Sequence, residues 1–165
     1  MENNENLIIE VGMAEMKITT APSVLVARGL GSCLAIFLYD PMRKIGATAH
    51  PMLPRLGEFK ARGTPCRYVD YMISLMLDET QKKGSKPSSL VAKIFGGAHM
   101  FSSIPQDSAF NIGARNIAVA REKLDSYNLK IISEDVGGNY GRTIFCDLNT
   151  GTVRVRTMFF GEREI

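Results

Sequence analysis

The sequence predicts an α+β domain whose core is a mixed, β-sandwich-like sheet flanked by helices. Three observations carry that expectation. Most of the apolar residues fall in short runs that alternate with a period of two or are continuously apolar, and turn residues bound these runs. Only two stretches carry helical spacing. No repeat or low-complexity segment divides the 165 residues, a length that one hydrophobic core can organise.

Taken in order, residues 1–6 are polar and acidic and are expected to be disordered. Leu7 to Val11 and Met13 to Thr19 read as strands broken at Gly12. Val24 to Ala27 follows the turn Ala21-Pro22-Ser23 as a short buried strand. The runs Leu34 to Tyr39 and Lys44 to Ala49 flank Asp40-Pro41-Met42-Arg43 and make a hairpin. The segment from Pro51 to Pro65 is loop-like, and its Phe59, Arg55, Lys60 and Arg62 suit either a recognition loop or a plain connector.

From Arg67 to Lys83 the chain turns helical, with Val69, Met72, Ile73 and Met76 on one face and Gly84 as the stop. Leu90 to Phe95 is a strand running into Gly96-Gly97-Ala98, and residues 102–110 are a loop. Asn111 caps a second helix over Gly113 to Tyr127, with Ala114, Ile117, Ala120, Leu124 and Tyr127 along one side and expected inside. Lys130 to Asp135 is a strand, and Thr143 to Leu148 and Thr152 to Phe160 form a closing hairpin through Asn149-Thr150-Gly151.

Composition excludes several classes. The hydrophobic fraction of 45% is that of a globular protein. A net charge of +3 with no dense basic cluster gives no nucleic-acid stripe. Cys33, Cys66 and Cys146 cannot all pair within one chain and show no CxxC spacing, so neither a metal nor a disulfide framework is expected. With no secretory pattern at the start and no apolar run of membrane length, the expected setting is a reducing cytoplasm without membrane insertion, where Cys33 stays a free thiol.

The chemistry centres on Gly29-Leu30-Gly31-Ser32-Cys33, a glycine turn that opens into an apolar strand. His50 ends the returning strand seventeen residues later, which brings it back toward Cys33. A thiol beside an imidazole can act as a nucleophile with a proton carrier at hand, and no cofactor is needed. The amides of Gly31, Ser32 and Cys33 are candidates to hold the oxygen of a tetrahedral intermediate. On spacing alone, a buried, inert Cys33 and a structural His50 are equally good readings.

GLGSC followed by AHPMLP (Ala49 to Pro54) resembles the chemoreceptor glutamine deamidase family, CheD. The likeness continues through Gly96 to Phe101, Asn111 to Asn116 and Glu134 to Asn139. The resemblance implies a sandwich flanked by helices, a cysteine nucleophile at Cys33 and a histidine base at His50. It implies hydrolysis of glutamine side-chain amides on the cytoplasmic helices of methyl-accepting chemoreceptors, with the phosphatase CheC as a further partner. His99 is not the base by this match and is expected to be an exposed loop residue.

The family's motif places a threonine six residues before the cysteine, where this chain has Ala27. Thr48, two residues before His50 and so on its strand face, is the candidate to supply the missing hydroxyl. Gly97 and Asn111 are further candidates for substrate positioning, although turn chemistry and helix capping account for them as well. The absent hydroxyl leaves room for a receptor-binding adaptor without turnover, or for a cysteine hydrolase with another amide or ester substrate.

Overall fold

The computed structural model of the protein describes residues 5–60 and 63–165. Most of the expected disorder at 1–6 and the loop cation Arg62 lie outside these residues. Two five-stranded sheets pack face to face. The first has the order β1 (Leu7–Glu10), β3 (Ser23–Leu30), β8 (Arg142–Asp147), β9 (Val153–Thr157) and β10 (Gly161–Glu164). The second has the order β2 (Met16–Thr20), β5 (Ile45–Ala49), β4 (Leu34–Asp40), β6 (Val91–Gly96) and β7 (Ile131–Val136). Helices α1 (Val69–Lys82) and α2 (Ile112–Ser126) cover the outer face of the second sheet. This is the expected sandwich flanked by helices.

The alternation of β4 explains the layering. Ala35, Phe37 and Tyr39 face the first sheet and meet Leu25, Ile144, Cys146 and Val155. Leu34, Ile36 and Leu38 face the helices and meet Met72, Ile73, Met76, Ile117 and Leu124. Every residue of β4 is buried, because a sheet covered on both faces leaves a central strand no wet side. That is why the run reads as continuously apolar.

The four apolar positions expected to point inward on α1 are all buried. In α2 the buried set is rotated from the expected one: Ala114 is exposed, while Gly113, Asn116 and Val119 join Ile117, Ala120 and Leu124 inside. The expected last strand divides into β9 and β10 around the turn Met158-Phe159-Phe160. Two pairings are parallel, β1 with β3 and β6 with β7, and α2 makes the crossover of the second pair.

The sheets are also clasped by charge. Arg142 at the start of β8 donates from Nε and Nη2 to Asp135 Oδ1 of β7 at 3.1 and 3.0 Å, with both side chains buried. Arg163 of β10 reaches Asp135 Oδ2 at 2.8 Å. Removing one member of such a cluster strands a buried charge. Asp135→Ala is expected to lower the unfolding free energy by about 3–5 kcal/mol, measured as a fall in the urea midpoint at unchanged slope.

Candidate active site

The turn from β3 into β4 accounts for nearly all of its peptide groups. Gly31 N donates to Gly29 O at 3.0 Å, and Gly31 O accepts from Ala98 N at 2.8 Å. Cys33 O accepts from Gly97 N at 2.8 Å, which continues the β4–β6 ladder past its last strand pair. Leu34 N donates to Pro51 O at 3.1 Å and extends the β4–β5 ladder the same way. Ser32 O accepts from the buried Asn116 side chain at 2.9 Å. Among the described residues, only the amides of Ser32 and Cys33 in this turn find no acceptor in another residue, and Cys33 N–H lies against its own thiol.

Of the expected oxyanion amides, that of Gly31 is committed within the fold, which leaves those of Ser32 and Cys33; the amide of Gly97 is committed as well. Gly97 has φ +67°, and a Cβ there would sit 2.5 Å from Ile117, so its glycine serves the close seating of α2. Asn111 caps α2, with Oδ1 accepting from Ala114 N at 3.1 Å and Nδ2 donating to Gln106 O at 2.8 Å. Both ends of its amide are occupied.

His50 lies one step beyond the last β4–β5 pair, Ile36 with Ala49, which sets it across from Ala35 and diagonal to Cys33. The hairpin therefore returns the His50 backbone toward that of Cys33, and no hydrogen bond joins the ring to the thiol. His50 is 1% exposed. Its Nδ1 donates to Val11 O at 3.3 Å, which leaves Nε2 as the ring's lone-pair nitrogen. Nε2 is buried and without a hydrogen-bond partner. Thr48 is fully buried, and its hydroxyl rests against the Cys146 thiol without a well-aligned hydrogen bond to it or to His50.

Cys33 is half-buried in the wall of a cleft of about 460 Å³ between this turn, the Met52–Leu53 segment, the 98–104 loop and the start of α2. The cleft wall is largely apolar, and Phe101 and Phe110 at its rim are 65% and 77% exposed. His99 also borders it, half-buried and held by a 2.6 Å contact from Nε2 to Ile104 O. It is thus a loop clasp, where an exposed residue was expected. The 51–60 segment is tied down from within: Arg55 pairs with Glu122 and Glu58, and Arg115 pairs with Glu58 and lies over the Phe59 ring. In the described part of the segment, the connector reading gains support.

Burial pushes the Cys33 thiol above its ordinary value, with its own amide opposing, and pushes the His50 imidazole below its ordinary value, with the Val11 carbonyl and Glu15 opposing. Both shifts favour the uncharged form, the thiol of Cys33 and the neutral imidazole of His50. Cys146, sealed in the sandwich, is pushed up to about 12 and is inert.

A turn bearing a half-buried thiol, a buried unpartnered imidazole nitrogen and an apolar cleft are the elements a cysteine hydrolase requires. Comparison with known proteins is specific. The family model described as "CheD chemotactic sensory transduction" matches residues 52–157. The chain is 43% identical over 158 residues to the probable chemoreceptor glutamine deamidase CheD of Syntrophomonas wolfei, covering 96% of this chain and 98% of that one. Proteins of the same description from Desulforamulus reducens and Thermococcus kodakarensis are 41% and 36% identical, each over 93% of this chain and over 92% and 95% of their own. The protein belongs to the CheD family.

The raised thiol sets a pH signature. Because the thiolate forms only above the ordinary value of 9.0, alkylation of Cys33 by iodoacetamide is expected to keep accelerating as pH rises through 9. Peptide mapping of the labelled protein across pH 6–10 measures this; a plateau at neutral pH would show a preformed thiolate instead.

Proposed function

We propose that this protein is a chemoreceptor glutamine deamidase that works through a Cys33 thioester. The observation that carries the reading is the buried Nε2 of His50, a nitrogen with no structural employment on the strand beside Cys33. The relatives' description as deamidases supports the substrate class.

Cys33 Sγ attacks the carboxamide carbon of a glutamine while its proton passes to His50 Nε2. The oxyanion that forms meets the amides of Ser32 and Cys33. As the C–N bond breaks, the imidazolium returns the proton and ammonia leaves. Water then attacks the thioester carbon, its proton passing to Nε2, and collapse releases the glutamate carboxyl and regenerates the thiol. The Val11 carbonyl fixes the Nδ1–H tautomer throughout, so a backbone oxygen takes the orienting part that a side-chain hydroxyl at position 27 or 48 would otherwise play.

The apolar cleft with its exposed phenylalanine rim suits a glutamine presented on an amphipathic helix. Chemoreceptor cytoplasmic helices are the substrates in this reading, and the cytoplasm is the compartment. Among the described residues no helix is long and apolar enough to cross a membrane. The CheC phosphatase, the regulatory partner that the family resemblance implies, would dock near the same face.

Mass spectrometry of a receptor fragment, before and after incubation, reads the gain of amide to acid. Cys33→Ala and His50→Ala are expected to abolish it. Binding that persists with no glutamate formed by the native chain would favour the adaptor reading. Thr48→Val is expected to keep turnover within about threefold of wild type, because an unsatisfied buried hydroxyl is being replaced by a methyl group of like shape. Loss of turnover in that variant would return the orienting role to Thr48. The depressed His50 also fixes the acid limb: kcat/KM is expected to fall only below the ordinary 6.5, as the imidazole gains its proton.

A further inference from the structure

Asn116 stands on the inner face of α2, wholly buried, where helix periodicity puts leucine or isoleucine. Its Nδ2 donates twice, to Ser32 O at 2.9 Å and to Met52 O at 3.0 Å. Its Oδ1 is buried with no hydrogen-bond partner, so the side chain is retained for its two N–H groups. Those groups grip the residue before the nucleophile and the residue two beyond the base.

The grip on Ser32 has a stereochemical consequence. In a trans peptide the C=O of one residue and the N–H of the next point in opposite directions. The Ser32 carbonyl is held toward α2, so the Cys33 N–H is turned away from the helix. The following peptide is fixed as well, by Gly97 N on Cys33 O. With the planes on both sides of Cys33 pinned, the Cys33 N–H stays unpaired beside the thiol, where the oxygen of an attacked carbonyl must sit.

We infer that Asn116 is the positioning residue of the oxyanion site: through Ser32 O it aims the Cys33 amide, and through Met52 O it holds the His50 flank in register with it. This rests on the reading of Cys33 as nucleophile and deepens it.

Two reactions of the same sulfur test the assignment. Acylation by p-nitrophenyl acetate forms an S–C bond at the ester carbonyl, passes through an oxyanion and expels p-nitrophenolate, while the thiol proton goes to His50. Alkylation by iodoacetamide displaces iodide at a saturated carbon and builds no oxyanion. In Asn116→Leu, the Cys33-dependent release of p-nitrophenolate is expected to fall about 10- to 100-fold. Iodoacetamide labelling of Cys33 and its pH profile are expected to stay within about threefold of wild type. Asn116→Asp, which keeps the volume and loses the donors, is expected to show the same split should the leucine variant fold poorly.

On a receptor fragment, kcat is expected to drop by the same factor with KM within about twofold. Acylation at the wild-type rate, or acylation and alkylation falling together, would overturn the inference. A wild-type protein that shows the Asn116-dependent split but forms no glutamate on receptors would leave the inference standing and remove the deamidase reading.

Discussion

The site depends on the completion of two hydrogen-bond ladders at the mouth of β4. β4 is the central strand of its sheet, buried on both faces, and its pairings with β5 and β6 run on past its first residue. Cys33 therefore directly precedes a strand buried along its whole length, while its side chain stands in the wall of a cleft. A nucleophile on a freely hinged loop would lose much of its rate to orientation. In the role proposed for Cys33, the fold itself meets that entropic cost.

Close backbone approach is the means by which the second layer of support arrives. A Cβ at Gly96 would lie 2.3 Å from Cys33 O, and one at Gly113 would lie 2.5 Å from the carbonyl oxygens of Gly97 and Ala98. Residues without side chains at these points let the β6 terminus press directly on the Cys33 turn and the first turn of α2 press on the 97–98 backbone beside it. Only because α2 is seated that closely can Asn116 span from Ser32 to Met52. The glycines and the asparagine are thus parts of one arrangement, in which the small residues set the distance and the amide uses it.

Local chemistry made much of this legible in sequence. The 40–43 turn between two apolar runs identified the hairpin that returns His50 toward Cys33, and Asn111 followed by a helical period identified the α2 cap. Groups that act through the backbone were hidden. Val11 reads as an ordinary apolar strand residue, yet its carbonyl holds the imidazole, and no side-chain pattern reports where a carbonyl points. The amide of Gly31 looks available because glycine marks a turn, but which peptide groups a turn leaves unpaired depends on the partner strand. Asn116 escaped because the helical face was fitted to apolar residues, and a buried polar one rotates that fit. The division of the last strand at residues 158–160 was lost in an alternation that continues through Thr157.

In the proposed mechanism, shifts that favour both uncharged forms also account for how an exposed cleft can house a reactive sulfur. Burial acts on the two groups in opposite directions, holding the proton on the thiol and keeping it off the imidazole. A preformed thiolate beside an open apolar groove would react with any passing electrophile or oxidant. With the proton retained, the proposed route makes the sulfur a nucleophile only as a carbonyl carbon approaches and the forming oxyanion is met by the two unpaired amides. The imidazolium then exists at the stage when the amide nitrogen needs a proton to leave. A base that starts uncharged has the capacity to take the thiol proton and return it within one turnover, and the same desolvation that lowers its affinity for protons at rest favours giving that proton up to ammonia.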